Sequence, residues 1–361
     1  MEDSQMNEDA VALETPAPGV FIPPSVNEAA LLAGDTYTHF SPIPPCLLPS
    51  PPTDDSSPPT PGLPCVLGVD EAGRGPVLGP MVYGVFFLPL DLSDPLLRAE
   101  HHFDDSKVLT PAFRSSLMET LCAPDTSLSR SCGWAVAALS ARDIGAGMLR
   151  PAAAAPYNLN AQAMDATADL IRGVLARGVD VREIYVDTIG QPAAYQKRLE
   201  RVFPSVKITV AKKADSLYPC VSAASVCAKV TRDAALEVLY DQRRREDLGG
   251  RAGGAADEEA EAETEQEGWG SGYPSDARCV AWLRRNMHPV FGWGPECRFS
   301  WGTAKDMLEA KGAGVKVEWP ADDDGESSRM TDYFAASGGD QQIDGDELGT
   351  WFGTPAGLEA F

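Results

Sequence analysis

The sequence contains no long hydrophobic run. None of its 361 residues lies in a stretch approaching the ~18 consecutive apolar residues that a membrane-spanning helix needs, so we expect no membrane partner. The opening MEDSQMNEDA lacks the basic and apolar regions of a secretory signal and the arginines of a transit peptide. Only four histidines are present, and the eight cysteines form no Cys-x-x-Cys pair. The sequence therefore offers few ligands for a zinc centre and few histidines for acid–base chemistry. The cysteines are expected to be reduced thiols in the cytosol or nucleus.

Basic residues are missing from one end of the chain and rare in two other segments. Residues 1–63 contain nine acidic residues and no lysine or arginine. Residues 249–270 and 321–361 contain seven and ten acidic residues, each against one basic residue. The net charge of −23 therefore belongs to the ends and one insertion, and it does not exclude a nucleic-acid partner for the nearly neutral remainder.

Composition divides the chain into five parts. Residues 1–63 are rich in proline and serine and can bury too little apolar surface to offset the entropy of ordering, so a disordered tail is predicted. An ordered domain is predicted over 64–247, followed by an acidic low-complexity insertion at 248–269. A helical part over 270–320 follows, and 321–361 is predicted to be an acidic, disordered tail.

The ordered region has the pattern of an α/β fold. Apolar runs of strand length occur at 65–70, 80–90, 133–140, 183–187 and 206–215. Helical periodicity or composition occurs at 158–178, 193–203 and 222–246. The first three strands precede any long helix and suit an antiparallel meander, whereas the later strands alternate with helices and suit parallel pairing through right-handed crossovers. The prediction is a mixed sheet of five strands flanked by helices, with a C-terminal helical extension.

Acidic residues end three of the predicted strands. Asp70 and Glu71 follow the first strand, Asp187 ends the fourth, and Asp215 ends the fifth. Neighbouring strands lie about 5 Å apart, so these carboxylates can converge, repel one another and raise one another's pKa values. A divalent cation removes that penalty, and oxygen ligands suit Mg²⁺ or Mn²⁺. Two such ions about 4 Å apart can clamp the attacking and leaving oxygens of an in-line phosphoryl displacement.

A glycine-rich loop follows the first acidic pair directly. Gly73 and Gly75 allow the backbone amides to approach a ligand closely, and Arg74 adds a planar fork of donors. Gly-Arg-Gly alone recurs in surface turns. Beside two carboxylates at a strand end, it indicates contact with a phosphate or a sugar hydroxyl.

Several motifs, in order and spacing, resemble type-2 ribonuclease H, the ribonuclease HII family. They are VLGVDEAGRGPVLGPMVYG (66–84), DDSKVL (104–109), NLNAQAMDAT (158–167), YVDTIG (185–190), KKADSLYPCVSAASVCAKVTRD (212–233), GSGYPSD (270–276) and PVFGWGP (289–295). YVDTIG, GSGYPSD and RFSW (298–301) resemble the catalytic A subunit of the eukaryotic enzymes more than the shorter bacterial ones. The resemblance covers about 64–312 and leaves out both predicted tails and the insertion.

The resemblance implies a ribonuclease H-like fold and an endonuclease. Such an enzyme hydrolyses the RNA strand of RNA/DNA hybrids and cuts 5′ to single ribonucleotides embedded in duplex DNA. It uses two divalent ions, Mg²⁺ or Mn²⁺, and leaves 5′-phosphate and 3′-hydroxyl ends. The implied roles are removal of RNA primers in DNA replication and ribonucleotide excision repair. The nucleus is the expected location, and the cytoplasm is a second location compatible with the resemblance.

The resemblance also implies roles for individual residues. The four strand-end acids would bind the metal ions, and Gly73, Arg74 and Gly75 would contact the ribose 2′-OH near the scissile phosphate. Tyr273 would stack on the deoxyribose that follows the ribonucleotide, and its alternative role is a turn aromatic packed on the next helix.

Other residues are candidates for phosphate contacts. Lys107, Lys212, Lys213 and Lys229 are such candidates, and for Lys229 a structural role on its helix is the alternative. Ser222 and Ser225 could bind phosphate from a helix N-terminus or fill a tight contact between helix and sheet, and the second is favoured.

Partners are implied in the same way. The eukaryotic A subunit works with two smaller proteins, B and C, and the same is expected here, with 270–320 contributing to the partner surface. Met330, Tyr333 and Phe334 have the spacing of a peptide that binds the replication sliding clamp. Ser327 stands where such peptides usually have glutamine, so an ordinary aromatic pair in a tail is the alternative.

Two other classes of function are compatible with such a fold. One is a different enzyme, such as a DNA-strand recombinase or a type-1 enzyme that needs runs of ribonucleotides. The other is a non-catalytic scaffold that binds hybrids and the clamp. The DEAGRGP and GSGYP motifs argue against the first, and the intact set of carboxylates argues against the second.

Overall fold

The computed structural model describes residues 21–50, 61–103, 109–150, 157–187, 191–250 and 268–310, with backbone alone for 246–250. Several sequence predictions fall elsewhere. Lys107, most of the acidic insertion, and the peptide containing Met330, Tyr333 and Phe334 lie outside the described residues. Among the residues that are described, no helix combines the length and apolar character needed to cross a membrane.

The centre of the fold is a mixed sheet of six strands. Its strands are β1 (Tyr37–Phe40), β2 (Cys65–Ala72), β3 (Met81–Pro89), β4 (Gly133–Leu139), β5 (Val181–Asp187) and β6 (Lys207–Ala211). Their order is β1-β4-β3-β2-β5-β6. The first four in this order pair antiparallel, and β2, β5 and β6 pair parallel. The predicted mixed sheet, with its meander and its parallel half, is confirmed, and β1 is a strand that the sequence pattern did not predict.

Helices flank the sheet and continue beyond it. They are α1 (Glu28–Ala33), α2 (Pro111–Cys122), α3 (Ser127–Ser131), α4 (Ala141–Met148), α5 (Leu159–Ala176), α6 (Pro192–Val202), α7 (Ala214–Leu217), α8 (Pro219–Gly250), α9 (Ala277–Arg285) and α10 (Gly302–Glu309). Short helical turns add Pro45–Leu47, Leu90–Leu92 and Ser93–Glu100. One face of the sheet packs on α5 and the other on α8 and α2. A smaller apolar cluster joins α9 and α10 to the loop after β2.

The prediction that all of 1–63 is a disordered tail is wrong for residues 21–50. In this segment β1 pairs with β4 and extends the sheet, and the Ser25 hydroxyl hydrogen bonds to that of Thr231 in a buried position at 2.7 Å. Leu31 and Leu47 are buried. These buried residues are isolated along the sequence and form no periodic pattern, so the pattern did not indicate them. Their partners lie far along the chain: Ser25 binds Thr231, and Leu47 belongs to the core cluster on the α5 face of the sheet.

Two glycines bring α8 directly onto the middle of the sheet. A Cβ at Gly68 of β2 would overlap the Cys220 carbonyl of α8, and a Cβ at Gly84 of β3 would press on the Ala224 carbonyl. Larger residues would hold the helix away from the sheet. The close approach places the first turns of α8 beside the carboxyl end of β2, where the acidic residues lie.

Candidate active site

The parallel half of the sheet aligns two of the predicted acids. Val69 of β2 lies opposite Val186 of β5, so the next residues along, Asp70 and Asp187, are neighbours at the same edge. Asp187 lies opposite Ala211, the last residue of β6. Since parallel strands bring their carboxyl ends to one edge, the sheet itself brings these carboxylates together.

Asp215 reaches the same region by a different route from the one expected. The sequence pattern carried the fifth strand to 215, but β6 ends at Ala211. Lys213 then takes a left-handed backbone conformation, with φ 56°, and Asp215 lies in the first turn of α7. The Asp187 carboxylate accepts a hydrogen bond from the Ala214 amide at 2.7 Å, which ties the turn before Asp215 to the end of β5.

The carboxylates lie close enough to perturb one another. Burial raises the pKa of Asp70 well above its usual value, and the charges of Glu71 and Asp187 raise it further. A hydrogen bond from the Ser225 hydroxyl and the charge of Lys229 oppose this rise. Such a site resists the accumulation of negative charge, and a bound cation would relieve the repulsion.

Glu71 is perturbed for similar reasons. Burial raises the pKa of Glu71 to about 7, and Asp187 adds to the rise, whereas the neighbouring guanidinium of Arg74 lowers it.

In the part of the chain that the structure describes, no three acidic, histidine or cysteine side chains converge tightly enough to hold one ion by themselves. Any metal ion would therefore have to draw these oxygens closer together.

The helix α8 contributes two groups to this site. Ser225 and Lys229 are four residues apart, so they lie on one face of the helix, and both act on Asp70. The sequence showed them only as candidates for phosphate contact or tight packing. The signal that could have assigned them is their spacing on a helix whose small residues allow close contact with the acidic strand.

The Gly-Arg-Gly loop follows β2 at the edge of the acidic site. Gly73 has φ 79°, and a Cβ there would overlap the side chain of Arg232, which is buried in α8. Glycine is therefore required at this position both by backbone conformation and by the lack of space. The Arg74 guanidinium donates a hydrogen bond to the side-chain oxygen of Asn160 in the first turn of α5, which fixes its direction.

Tyr273 lies against this loop. A Cβ at Gly75 would lie 3.2 Å from the ring atom Cε1 of Tyr273. The turn that carries the tyrosine is held in place because the Gly272 carbonyl accepts a hydrogen bond from the Val77 amide at 2.9 Å. The structure therefore brings an aromatic ring, a loop with close backbone access and a group of carboxylates into one continuous region.

The comparisons with known proteins assign this arrangement to a family. The sequence profile described as Ribonuclease HII matches residues 67–266, which include the acids and the Gly-Arg-Gly loop and end before Tyr273. The chain belongs to the ribonuclease HII family, and it is a ribonuclease H. This agrees with the resemblance inferred from the motifs.

Several similar proteins are named A subunits of ribonuclease H2. The chain is 60% identical to the A subunit of ribonuclease H2 from Neurospora crassa, over 95% of this chain and 98% of the relative. It is 42% identical to the Schizosaccharomyces pombe protein of the same name, over 90% and 88% of the two chains. The human protein of that name is 41% identical over 76% and 83%. The crystal structure of the ribonuclease H2 from Pyrococcus horikoshii matches 67% of this chain and 96% of that one, with 29% identity and a TM-score of 0.48.

Proposed function

We propose that this chain is the catalytic component of an enzyme that hydrolyses the RNA strand of RNA/DNA hybrids and cuts 5′ to single ribonucleotides embedded in duplex DNA. The observation that carries the proposal is the contact between Gly75 and Tyr273 beside the acidic edge of the sheet. A loop with accessible backbone can recognise a hydroxyl, and a flat ring can test the next sugar. The carboxylates at the sheet edge would act on the adjoining phosphate.

Recognition in this proposal begins with the sugar. The 2′-OH is the group that distinguishes ribose from deoxyribose, and it can both donate and accept hydrogen bonds. The loop Gly73–Gly75 would contact this hydroxyl. Tyr273 would stack on the following sugar, and most closely where that sugar lacks a 2′-OH. A substrate with one ribonucleotide followed by deoxyribonucleotides satisfies both requirements.

The catalytic role falls to Asp70, Glu71, Asp187 and Asp215. Their donors are all carboxylate oxygens. Burial, with the neighbouring carboxylates, raises the pKa values of Asp70 and Glu71, and a divalent cation would offset the cost of their charges, so the set suits Mg²⁺ or Mn²⁺. When bound, two such ions supply charge neutralisation for an in-line displacement at phosphorus. The Ser225 hydroxyl and the Ala214 amide each hold one carboxylate in place, on Asp70 and Asp187 respectively.

We further propose that the chain works with two smaller proteins, the B and C subunits, in the nucleus, where it would remove RNA primers and single ribonucleotides from DNA. The relatives carry the name of the A subunit, which supports an assembly of several chains. Val290 and Phe291 form an exposed apolar tip, 63% and 76% accessible, on the segment before α10. This tip is a candidate contact with a partner protein. Sliding-clamp binding by Met330, Tyr333 and Phe334 remains part of the proposal.

Three duplexes test this function. One carries a single ribonucleotide, one is an RNA/DNA hybrid, and one is all DNA. The full-length chain, alone and co-expressed with its partner subunits, is incubated with each in Mg²⁺ or Mn²⁺. We expect cleavage of the first two and none of the third. Cleavage restricted to the hybrid would contradict recognition of a single ribonucleotide, and binding without cleavage of any duplex would support the scaffold alternative.

A further inference from the structure

The loop Gly73–Gly75 is held from its buried side by two residues near the C-terminal end of the described chain. Arg298 is fully buried, and its guanidinium donates hydrogen bonds to the carbonyls of Gly73 at 2.7 Å and Arg74 at 2.9 Å. The Trp301 indole N–H donates to the Gly75 carbonyl at 2.9 Å. All three carbonyls of the loop are therefore bound by one short segment, RFSW (298–301).

The backbone around Arg298 fixes the position of its side chain. The Arg298 amide donates to the Val77 carbonyl at 2.8 Å, and the Gly79 amide donates to the Glu296 carbonyl at 2.8 Å, so this segment pairs with the chain that leaves the loop. The Arg298 Nε atom donates to the Gly79 carbonyl at 3.0 Å. The three nitrogen atoms of the guanidinium thus bind three different carbonyls within residues 73–79.

The charge of Arg298 is retained at neutral pH despite its burial. Burial, with a smaller contribution from Arg232, lowers the pKa of Arg298 to about 9. The guanidinium also lies over the ring of Trp301, 4.8 Å from its centre. A charged donor makes stronger hydrogen bonds to carbonyls than a neutral one, and the planar fork of arginine can serve three carbonyls in fixed directions.

Holding the carbonyls sets the direction of the amides. In a planar trans peptide the N–H points opposite to the C=O of the same unit. Binding of the Gly73 and Arg74 carbonyls by Arg298 therefore turns the N–H groups of Arg74 and Gly75 away from the buried side. Among the described residues, no backbone carbonyl accepts a hydrogen bond from either amide. Gly75 is exposed, and the side on which a Cβ would project faces the Tyr273 ring.

We propose that Arg298 and Trp301 are positioning residues that set the preference for ribose over deoxyribose. Arg298 aims the amides of Arg74 and Gly75 at the sugar hydroxyl. Trp301 binds the Gly75 carbonyl, whose peptide unit leads to Pro76 and has no N–H, so it fixes the end of the loop and with it the position of Gly75. The proposal rests on the proposed function, because it assumes that the loop contacts the 2′-OH. It assigns to RFSW a part in substrate selection, although neither side chain need touch the substrate.

Trp301→Phe tests this with little change in shape, because it keeps a ring and removes the N–H that binds Gly75. Trp293→Phe is the matched control, since the Trp293 indole donates to the Leu283 carbonyl at 2.8 Å in the same apolar cluster and does not contact the loop. Each is made in the full-length chain with Asp70→Asn, so that substrate is not consumed. The measurement is the ratio of dissociation constants for an all-DNA duplex and the same duplex with one ribonucleotide, together with the melting temperature.

We expect Trp301→Phe to reduce this ratio about three- to tenfold, the effect of one well-placed hydrogen bond. Trp293→Phe should lower the melting temperature by a similar or larger amount and leave the ratio within about twofold of the parent. Arg298→Lys, which keeps the charge but loses the fork, should reduce the ratio further. Equal reductions in both tryptophan variants, or no reduction in Trp301→Phe, would overturn the proposal. A ratio near one in the parent would instead refute the proposed recognition of the 2′-OH itself.

Discussion

The ring of Tyr273 lies so close to Gly75 that a Cβ there would be 3.2 Å from the ring atom Cε1. The residue that would test the sugar after the ribonucleotide thus touches the loop that would contact the ribose. Arg232 lies near both, with its guanidinium 5.9 Å from the Tyr273 ring centre and against Gly73. A substrate in this region would meet the two sugar contacts side by side.

Removing the ring should weaken cutting at a junction more than cutting within RNA. Loss of an aromatic stack on nucleic acid costs roughly 1–3 kcal/mol, or about a five- to 150-fold change. We expect Tyr273→Ala to lose activity in this range on an embedded ribonucleotide and less on an RNA/DNA hybrid, with Tyr273→Phe nearer wild type on both. Rates for the three proteins on the two duplexes decide this. Equal fractional losses for Tyr273→Ala would mean that the tyrosine is a structural turn residue.

A methyl group at Gly73 should disrupt the loop. The position has φ 79° and no room beside Arg232, so Gly73→Ala should destabilise the fold by about 1–3 kcal/mol and strongly reduce cleavage. Gly145→Ala is the control, because Gly145 lies inside α4 with nothing within 4 Å of the added atom. That variant should be slightly more stable and fully active. Thermal unfolding and cleavage rates check both, and a stable, active Gly73→Ala would contradict the described loop conformation.

The buried charge of Asp70 should make the metal-free protein less stable. Because its pKa is raised in the folded state, the ionised form is disfavoured there, and the free energy of unfolding should rise as pH falls through that pKa. Asp70→Asn should therefore raise the melting temperature at pH 8 in chelator, flatten its pH dependence and abolish cleavage. Asp169→Asn, at an exposed ion pair with Arg172, should change none of these. A lower melting temperature for Asp70→Asn would contradict the electrostatic description.

Residues 21–50 should contribute to stability. Deleting them removes β1 and the buried hydrogen bond between Ser25 and Thr231, and it exposes the edge of β4. We expect a clear fall in melting temperature. Deletion of 321–361, whose composition lacks a core-forming apolar pattern, should leave the melting temperature and cleavage of duplex substrates nearly unchanged. Similar melting temperatures for both truncated proteins would show that the N-terminal segment adds little to the fold.

The sequence predicted those parts of the fold and site that depend on local pattern. Asp70 and Asp187 end apolar runs of strand length, and parallel pairing is enough to bring such ends together. Asp215 was predicted as part of the group, but its place in α7 depends on the left-handed turn at Lys213, for which the sequence gives no clear signal.

The parts of the fold and site that the sequence did not predict depend on contacts between residues far apart in the chain. Arg298 looks like a surface residue in sequence, because arginine is rarely buried without partners. Its partners are carbonyls more than two hundred positions earlier, and no local pattern reports them. The same reason applies to 21–50, where β1 pairs with β4 across about a hundred residues of chain.

The position and chemistry of the cut at a single embedded ribonucleotide test the central claim most directly. The full-length enzyme with its partner subunits is incubated in Mg²⁺ with a duplex labelled on the ribonucleotide-containing strand, and the product ends are identified. In-line attack by water on the 5′ side predicts one cut, leaving a 3′-hydroxyl on the upstream DNA and a 5′-phosphate on the ribonucleotide. A cut on the 3′ side that leaves a 2′,3′-cyclic phosphate would show that the ribose hydroxyl itself is the nucleophile, and it would contradict the mechanism proposed for these carboxylates.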